Sequence, residues 1–149
     1  MSISYDLFTD SFLSKISEYE LLELSEEDRE STVDGYLIRA INEFDRICTY
    51  DLIDSMDNDT REFNIDIPQK DVNEIVDIVT DGMVVQWLKP YVYKQELLET
   101  VLNTRDFVTY SPAEMLLRVG NTYAQAKKDY TQMIREYSYN HGDLSELHL

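Results

Sequence analysis

The sequence predicts an all-α fold: a small bundle of four to five helices with a long C-terminal helix and a short extended segment near 62–67. Apolar residues recur at steps of three and four over most of the chain, which is the helical period. The 149 residues include only 4 Gly and 3 Pro, few turn-forming residues for a fold built of many strands. We therefore expect one helical domain over residues 1–142, followed by a C-terminal tail over residues 143–149.

The first two helices are predicted from apolar stripes in the N-terminal third. A short helix is expected within 5–17, and residues 19–24 favour a turn or a short extension. A second helix is expected over about 26–48, because Ser25 offers an N-capping hydroxyl and the acids after it meet the positive end of the helix dipole. The stripe of this second helix consists of Val33, Tyr36, Leu37, Ala40, Ile41, Phe44, Ile47 and Cys48.

The middle of the chain alternates between polar and strongly apolar segments. Residues 51–61 form a polar connection, after which Phe63, Ile65 and Ile67 alternate with polar residues and allow a short extended piece. From Asp71 the period is helical again, and the apolar positions cover more than one face, so this helix is expected to be the central, most buried one. Pro90 should kink or end it, and a further helix is expected over 91–102.

The last helix has the clearest signals. Ser111-Pro112-Ala113-Glu114 places a capping hydroxyl, a proline at the first helical position and an acid at the third. The apolar and aromatic positions then follow a seam for three heptads, as in a coiled coil. The seam consists of Leu116, Val119, Tyr123, Ala126, Tyr130, Met133 and Tyr137. Asn140 and Gly142 supply the end of the helix.

The charge of the chain is strongly negative and unevenly spread. Its formal net charge is −17, and residues 1–75 hold 20 acids and 6 bases, or −14 of that total. Such an excess of negative charge argues against a protein that binds nucleic-acid phosphates or anionic lipids. The acidic loop, residues 51–62, concentrates part of this charge and fails the spacing of a calcium-binding EF-hand, so a solvated loop is expected. Its acids are Asp51, Asp54, Asp57, Asp59 and Glu62.

Catalytic and cofactor sites are not predicted. No glycine-flanked serine elbow or phosphate loop is present, and Cys48 lies on an apolar helical stripe, where it packs as a small hydrophobic residue. We expect no enzyme, no cofactor and no metal site. His141 and His148 are seven residues apart and lack metal-ligand spacing; His141 is expected on the surface or capping the helix end. Neither a secretory signal nor a membrane-spanning segment is expected.

Two features of the C-terminal part suggest contacts with another chain. Basic residues form what we call the basic face of the last helix: Arg118, Lys127, Lys128 and Arg135. This face is either a solvated surface or a contact with an acidic neighbour, for instance another copy in a head-to-tail ring. Tyrosine is enriched in protein contacts, and we assign Tyr137 and Tyr139 to the candidate contact surface, although packing within the core explains the tyrosines at 123, 130 and 137 equally well. The tail with Leu144, Leu147 and Leu149 is either frayed or docks on a partner.

In the order of its helices and their pattern of apolar residues, the chain resembles the small head–tail connector proteins of tailed bacteriophages, also called adaptor, neck or head-completion proteins. The resemblance spans nearly the whole chain and concerns helix order and length rather than a diagnostic motif. It is carried by Phe12-Leu13 with Ile16, by Tyr36-Leu37-Ile38-Arg39-Ala40 through Phe44 and Ile47, by Gly82-Met83-Val84-Val85-Gln86-Trp87-Leu88, and by Asn103-Thr104-Arg105-Asp106-Phe107 leading to Tyr110-Ser111-Pro112.

The resemblance implies a structural virion protein that forms a ring, commonly a dodecamer, beneath the portal protein. Such a ring extends the DNA channel and meets a downstream neck or tail-completion protein. It implies assembly in the bacterial host cytoplasm and no contact with a membrane. A lining of acids would let DNA pass without binding, so we expect the acids of the acidic loop at the channel or its rim. The alternative is an acidic module that imitates DNA and sequesters a basic protein.

Overall fold

The computed structural model describes residues 2–17, 26–93 and 112–141. The helices in these ranges are α1 (Asp6–Ser17), α2 (Glu26–Phe44), α3 (Leu52–Ser55), α4 (Gln69–Tyr93) and α5 (Pro112–His141). The strands are β1 (Ile3–Ser4), β2 (Met56–Asp57) and β3 (Glu62–Phe63). The predicted small helical bundle with a long C-terminal helix is confirmed, with a small sheet added to it. Of the helix expected over 91–102, residues 91–93 belong to α4 and the rest lies outside the described residues, as does the tail over 143–149.

Two helix boundaries differ from the prediction. Helix α2 ends at Phe44 rather than near Cys48, because the chain reverses and the Asp45 carboxylate accepts hydrogen bonds from the backbone N–H groups of Leu52 and Ile53 at 3.0 and 3.2 Å. Helix α4 continues past Pro90 to Tyr93. Of the two outcomes predicted for Pro90, a kink or an end of the helix, the end is therefore wrong.

Helix α4 is the centre of the bundle, as the breadth of its apolar surface predicted. It packs against α1, α2 and α5. All residues from Ile78 to Val85 are buried, including the polar Thr80 and Asp81. Asp81 pairs with Lys15 of α1, so its buried carboxylate has a cationic partner. At Gly82 the ring of Tyr130 from α5 lies so close that an added Cβ would be 3.0 Å from its Cε1 atom.

Aromatic side chains fill the spaces between the helices. Trp87 of α4 is fully buried and meets Phe12 of α1 edge-on, with ring centroids 6.1 Å apart. Phe44 of α2 meets Tyr137 of α5 in the same way at 5.0 Å. Such pairs add to the hydrophobic stabilisation that comes from burying each ring. Each of these contacts joins two helices that are far apart in sequence.

The small sheet ties the N-terminus to the acidic loop. Its order is β1-β3-β2, with both pairs antiparallel, and Phe63 of β3 lies opposite Ile3 on one side and Met56 on the other. Phe63 is buried against the rings of Tyr5 and Phe8, at centroid distances of 5.0 and 5.3 Å. The extended segment predicted near 62–67 is therefore a two-residue strand followed by irregular chain.

Candidate functional site

The acidic loop is a structured element. It contains α3 and the β2–β3 hairpin, and two of its acids bind backbone within it. Asp51 caps α3 by accepting a hydrogen bond from the N–H of Asp54 at 3.3 Å. Asp57 accepts from the N–H groups of Asp59 and Thr60 at 3.0 and 3.3 Å. These bonds fix the course of the loop and therefore the positions of its charges.

Negative charge is concentrated at the exposed surface of this loop. Asp51, Asp54 and Asp59 are exposed, whereas Asp57 and Glu62 are half-buried. A hydrogen bond with Asp51, together with the repulsion between the two carboxylates, raises the pKa of Asp54 above its ordinary value. Carboxylates held this close repel a polyanion such as DNA and attract a cationic surface.

Arg61 anchors the acidic loop to the helical bundle. Its guanidinium donates two hydrogen bonds to Asp34 of α2, at 2.7 and 2.9 Å, and one to Asp6 of α1 at 2.8 Å. Its backbone carbonyl accepts from the N–H of Tyr5 at 2.9 Å, and its φ of 56° turns the chain into β3. The sequence analysis missed Arg61, because its partners are 27 and 55 residues away and no local pattern links them.

The basic face of α5 is exposed as the helical spacing requires. Lys127, Lys128 and Arg135 point to solvent and contribute to a shallow open groove along the helix. The ammonium of Lys127 lies 5.9 Å from the ring centroid of Tyr123 in the same groove. The side chain of Arg118 lies outside the described residues. Acidic loop and basic face thus belong to separate elements of one chain.

Tyr137, which the sequence analysis included in the contact surface, lies in the core. It is 1% exposed, and besides packing on Phe44 its hydroxyl accepts a hydrogen bond from the N–H of Thr49 at 3.2 Å. The heptad seam turns this ring toward α2, so it cannot meet another subunit. Tyr139 is 71% exposed and is available for contact. Leu144, Leu147 and Leu149, which the sequence analysis considered for docking on a partner, lie outside the described residues.

Cys48 lies beside the Tyr137 hydroxyl, with 3.6 Å between its Sγ atom and that oxygen. Its side chain is half-buried, and burial raises the pKa of the thiol. A raised pKa keeps the sulfur protonated near neutral pH, and the thiol is a weak nucleophile. The structural role predicted for Cys48 agrees with this placement.

A polar cluster joins the last residue of α5 to the first turns of α4. The Nε2 atom of His141 lies 3.1 Å from Oε2 of Glu74, and its ring stacks on Tyr137 with centroids 4.3 Å apart. Beside them, Asp71 accepts a hydrogen bond from the Tyr50 hydroxyl at 2.6 Å, which raises the pKa of Tyr50 to about 12. The sequence analysis expected His141 on the surface or at the helix end; it lies at the helix end, packed against α4.

Among the described residues, no helix combines the length and the apolar character that crossing a membrane requires. Comparisons of this chain with protein-family models, curated proteins and solved structures find no match.

Proposed function

We propose that this chain is a structural subunit of a tailed-phage neck, assembling into a ring between portal and tail that extends the DNA channel. The observation that carries the proposal is the separation of opposite charges along the chain: residues 1–75, including the anchored acidic loop, are strongly acidic, and α5 has an exposed basic face. A helical domain with this arrangement suits self-assembly, because one surface of each copy complements another surface of the next.

Head-to-tail contact follows from this charge arrangement. Residues 1–75 carry a net charge of −14, so the basic face of one copy has abundant acidic surface to meet on its neighbour. A contact between two different patches is heterologous, and it closes into a ring when the rotation between copies is right. The phage resemblance implies a dodecamer, seated between the portal protein and a downstream neck or tail-completion protein.

The acids that the subunit contacts leave uncovered would line the channel or its rim, including Asp51, Asp54 and Asp59 of the acidic loop. DNA would then pass through the ring without specific binding, because a carboxylate-lined wall repels phosphates. In this role the protein is neither an enzyme nor a membrane protein, and its place is the virion neck after assembly in the bacterial host cytoplasm.

A charge-reversal experiment tests the assembly. At low salt the natural chain should form rings that light scattering and negative-stain microscopy detect. The triple variant Lys127→Glu, Lys128→Glu, Arg135→Glu should not form them. A matched control, Arg39→Glu, Lys70→Glu, Lys89→Glu, changes the net charge equally at exposed positions on α2 and α4 and should still assemble. Equal loss of rings in both variants would show that total charge, and not the basic face, governs assembly.

The competing function is an acidic module that imitates DNA and sequesters a basic protein. The exposed acids of the acidic loop favour it, since they hold negative charges close together on one surface. It predicts a monomer or dimer without rings, whose binding to a basic protein weakens steeply with salt. A purified chain that stays monomeric under all conditions would refute the connector proposal in favour of this one. A ring with residues 51–62 on its outside and a basic lumen would refute the channel lining.

A further inference from the structure

Three metal-ligand side chains converge where α5 ends against α4. Asp71, Glu74 and His141 each offer one ligand atom, and these atoms lie within 4.8 Å of one another. Asp71 and Glu74 are three residues apart on α4 and share a face, while His141 comes from the opposite end of the chain. In the part of the chain that the structure describes, this is the one group of three such side chains that converges this closely.

The distance between the His141 and Glu74 ligand atoms fits direct coordination of one small divalent ion, and Asp71 offers a third atom within 4.8 Å of both. Two ligands of a tetrahedral zinc ion lie about 3.3 Å apart when each bond is about 2.0 Å long. The Nε2 atom of His141 lies 3.1 and 3.3 Å from the two carboxylate oxygens of Glu74. An ion bound between the two side chains would therefore replace their present hydrogen bond with little movement of either.

Neighbouring tyrosines hold the ligands in position. The Tyr50 hydroxyl donates to Oδ2 of Asp71 at 2.6 Å, and a carboxylate keeps further acceptor positions free for an ion. The His141 ring stacks on the buried Tyr137, itself tied to Thr49, so its rotation is restricted. Groups that orient ligands in this way are a regular part of metal sites and strengthen binding.

The donor set and its charge select the kind of ion. Two carboxylates and one neutral imidazole carry two negative charges, which a divalent cation neutralises. Imidazole suits transition metals, whereas calcium and magnesium prefer sites made of oxygen alone. Two oxygens and one nitrogen from the protein, with water as a fourth ligand, would complete the four-coordinate geometry that zinc adopts.

We propose that Asp71, Glu74 and His141 form a zinc-binding site that fastens the C-terminal end of α5 to the start of α4. The ion would bridge residues 67 positions apart in sequence and so restrain the end of the long helix. The proposal does not depend on the phage-neck function, because it concerns contacts within one chain.

Calorimetric titration of the chelator-treated full chain with zinc chloride tests the site. The natural chain should bind one ion, and Glu74→Gln and His141→Ala should each weaken binding by more than about tenfold, since each removes a direct ligand. Two control variants should bind as the natural chain does: Asp77→Asn, which removes an exposed carboxylate one turn further along α4, and His148→Ala, which removes the chain's other histidine.

Two further measurements keep the result unambiguous. Tyr50→Phe retains all three ligands and should weaken binding by about tenfold, because the Asp71 carboxylate loses its orienting hydrogen bond. Far-ultraviolet circular dichroism of each variant shows that the helices are intact. Equal weakening by Glu74→Gln and Asp77→Asn, or binding unchanged by His141→Ala, would overturn the proposal, because zinc would then be held by diffuse attraction to an acidic surface.

Discussion

The close approach of α4 and α5 at Gly82 predicts a specific cost for adding a single methyl group. In Gly82→Ala the new Cβ would lie 3.0, 3.1 and 3.2 Å from the Cε1, Cζ and hydroxyl oxygen of Tyr130. Ordinary contacts between such atoms are about 3.5–4.0 Å long, so the helices or the ring must shift by several tenths of an ångström. Tyr130 is itself 5% exposed, and a ring packed on all sides has little room to move.

Two opposing effects determine how Gly82→Ala changes the free energy of unfolding. Replacing a helical glycine with alanine stabilises a helix by about 1 kcal/mol, and overpacking a core costs about 1–3 kcal/mol. Gly35→Ala and Gly120→Ala isolate the first effect, because both glycines lie inside helices and an added Cβ would meet nothing within 4 Å. We expect these two variants to gain about 0.5–1 kcal/mol of unfolding free energy, and Gly82→Ala to lie about 2 kcal/mol below them.

Urea denaturation followed by circular dichroism measures all three free energies of unfolding. A second test repeats Gly82→Ala in a Tyr130→Leu background, where the shorter side chain no longer reaches the position of the ring. The penalty of Gly82→Ala should then shrink toward the values of the control variants, which gives a coupling energy between the two sites. If Gly82→Ala proves as stabilising as Gly35→Ala, the close approach described for α4 and α5 is wrong.

Two other predictions concern single side chains. Arg61→Lys should lower the urea midpoint by an amount equivalent to about 1–2 kcal/mol, because an ammonium cannot make the paired bonds to Asp34 together with the bond to Asp6. The control is Arg39→Lys, a substitution at an exposed position. Equal effects of the two substitutions would contradict the anchoring role of Arg61. Burial, together with the charge of Glu43, raises the pKa of Tyr130. Above pH about 10 the hydroxyl of Tyr130 therefore loses its proton more readily in the unfolded chain than in the folded one, and the free energy of unfolding falls as the pH rises. Tyr130→Phe should reduce that fall in urea midpoints measured from neutral to alkaline pH, and an unchanged slope would show that Tyr130 is not the group responsible.

The helices could be predicted because their signals are local. The seam of α5 repeats over many residues, and Val119, Ala126, Tyr130 and Tyr137 of that seam are buried. Of the strands, only β3 falls in a segment that was predicted to be extended; β1 and β2 could not be predicted in the same way, since each has two residues and depends on pairing across the chain. No periodicity marks Ile3 as a partner of Phe63.

The polar sites, too, could be predicted only where their sequence signal is local. Exposure of Lys127, Lys128 and Arg135 follows from helical spacing alone, and the structure agrees. The roles of Arg61 and His141 depend on partners 27 to 67 residues away, and only the fold brings these groups together. Tyr137 shows the limit most clearly: its position on the seam was evident, but which neighbour covers the seam was not.

The position of Trp87 gives this protein an internal reporter of its own packing. It is the only tryptophan in the chain, and it is fully buried between α1 and α4 against Phe12. Its fluorescence should therefore change when the helices separate and stay constant when copies associate through their surfaces. Emission spectra can thus distinguish unfolding from any change in association between copies in a single sample, without a label and without altering a residue.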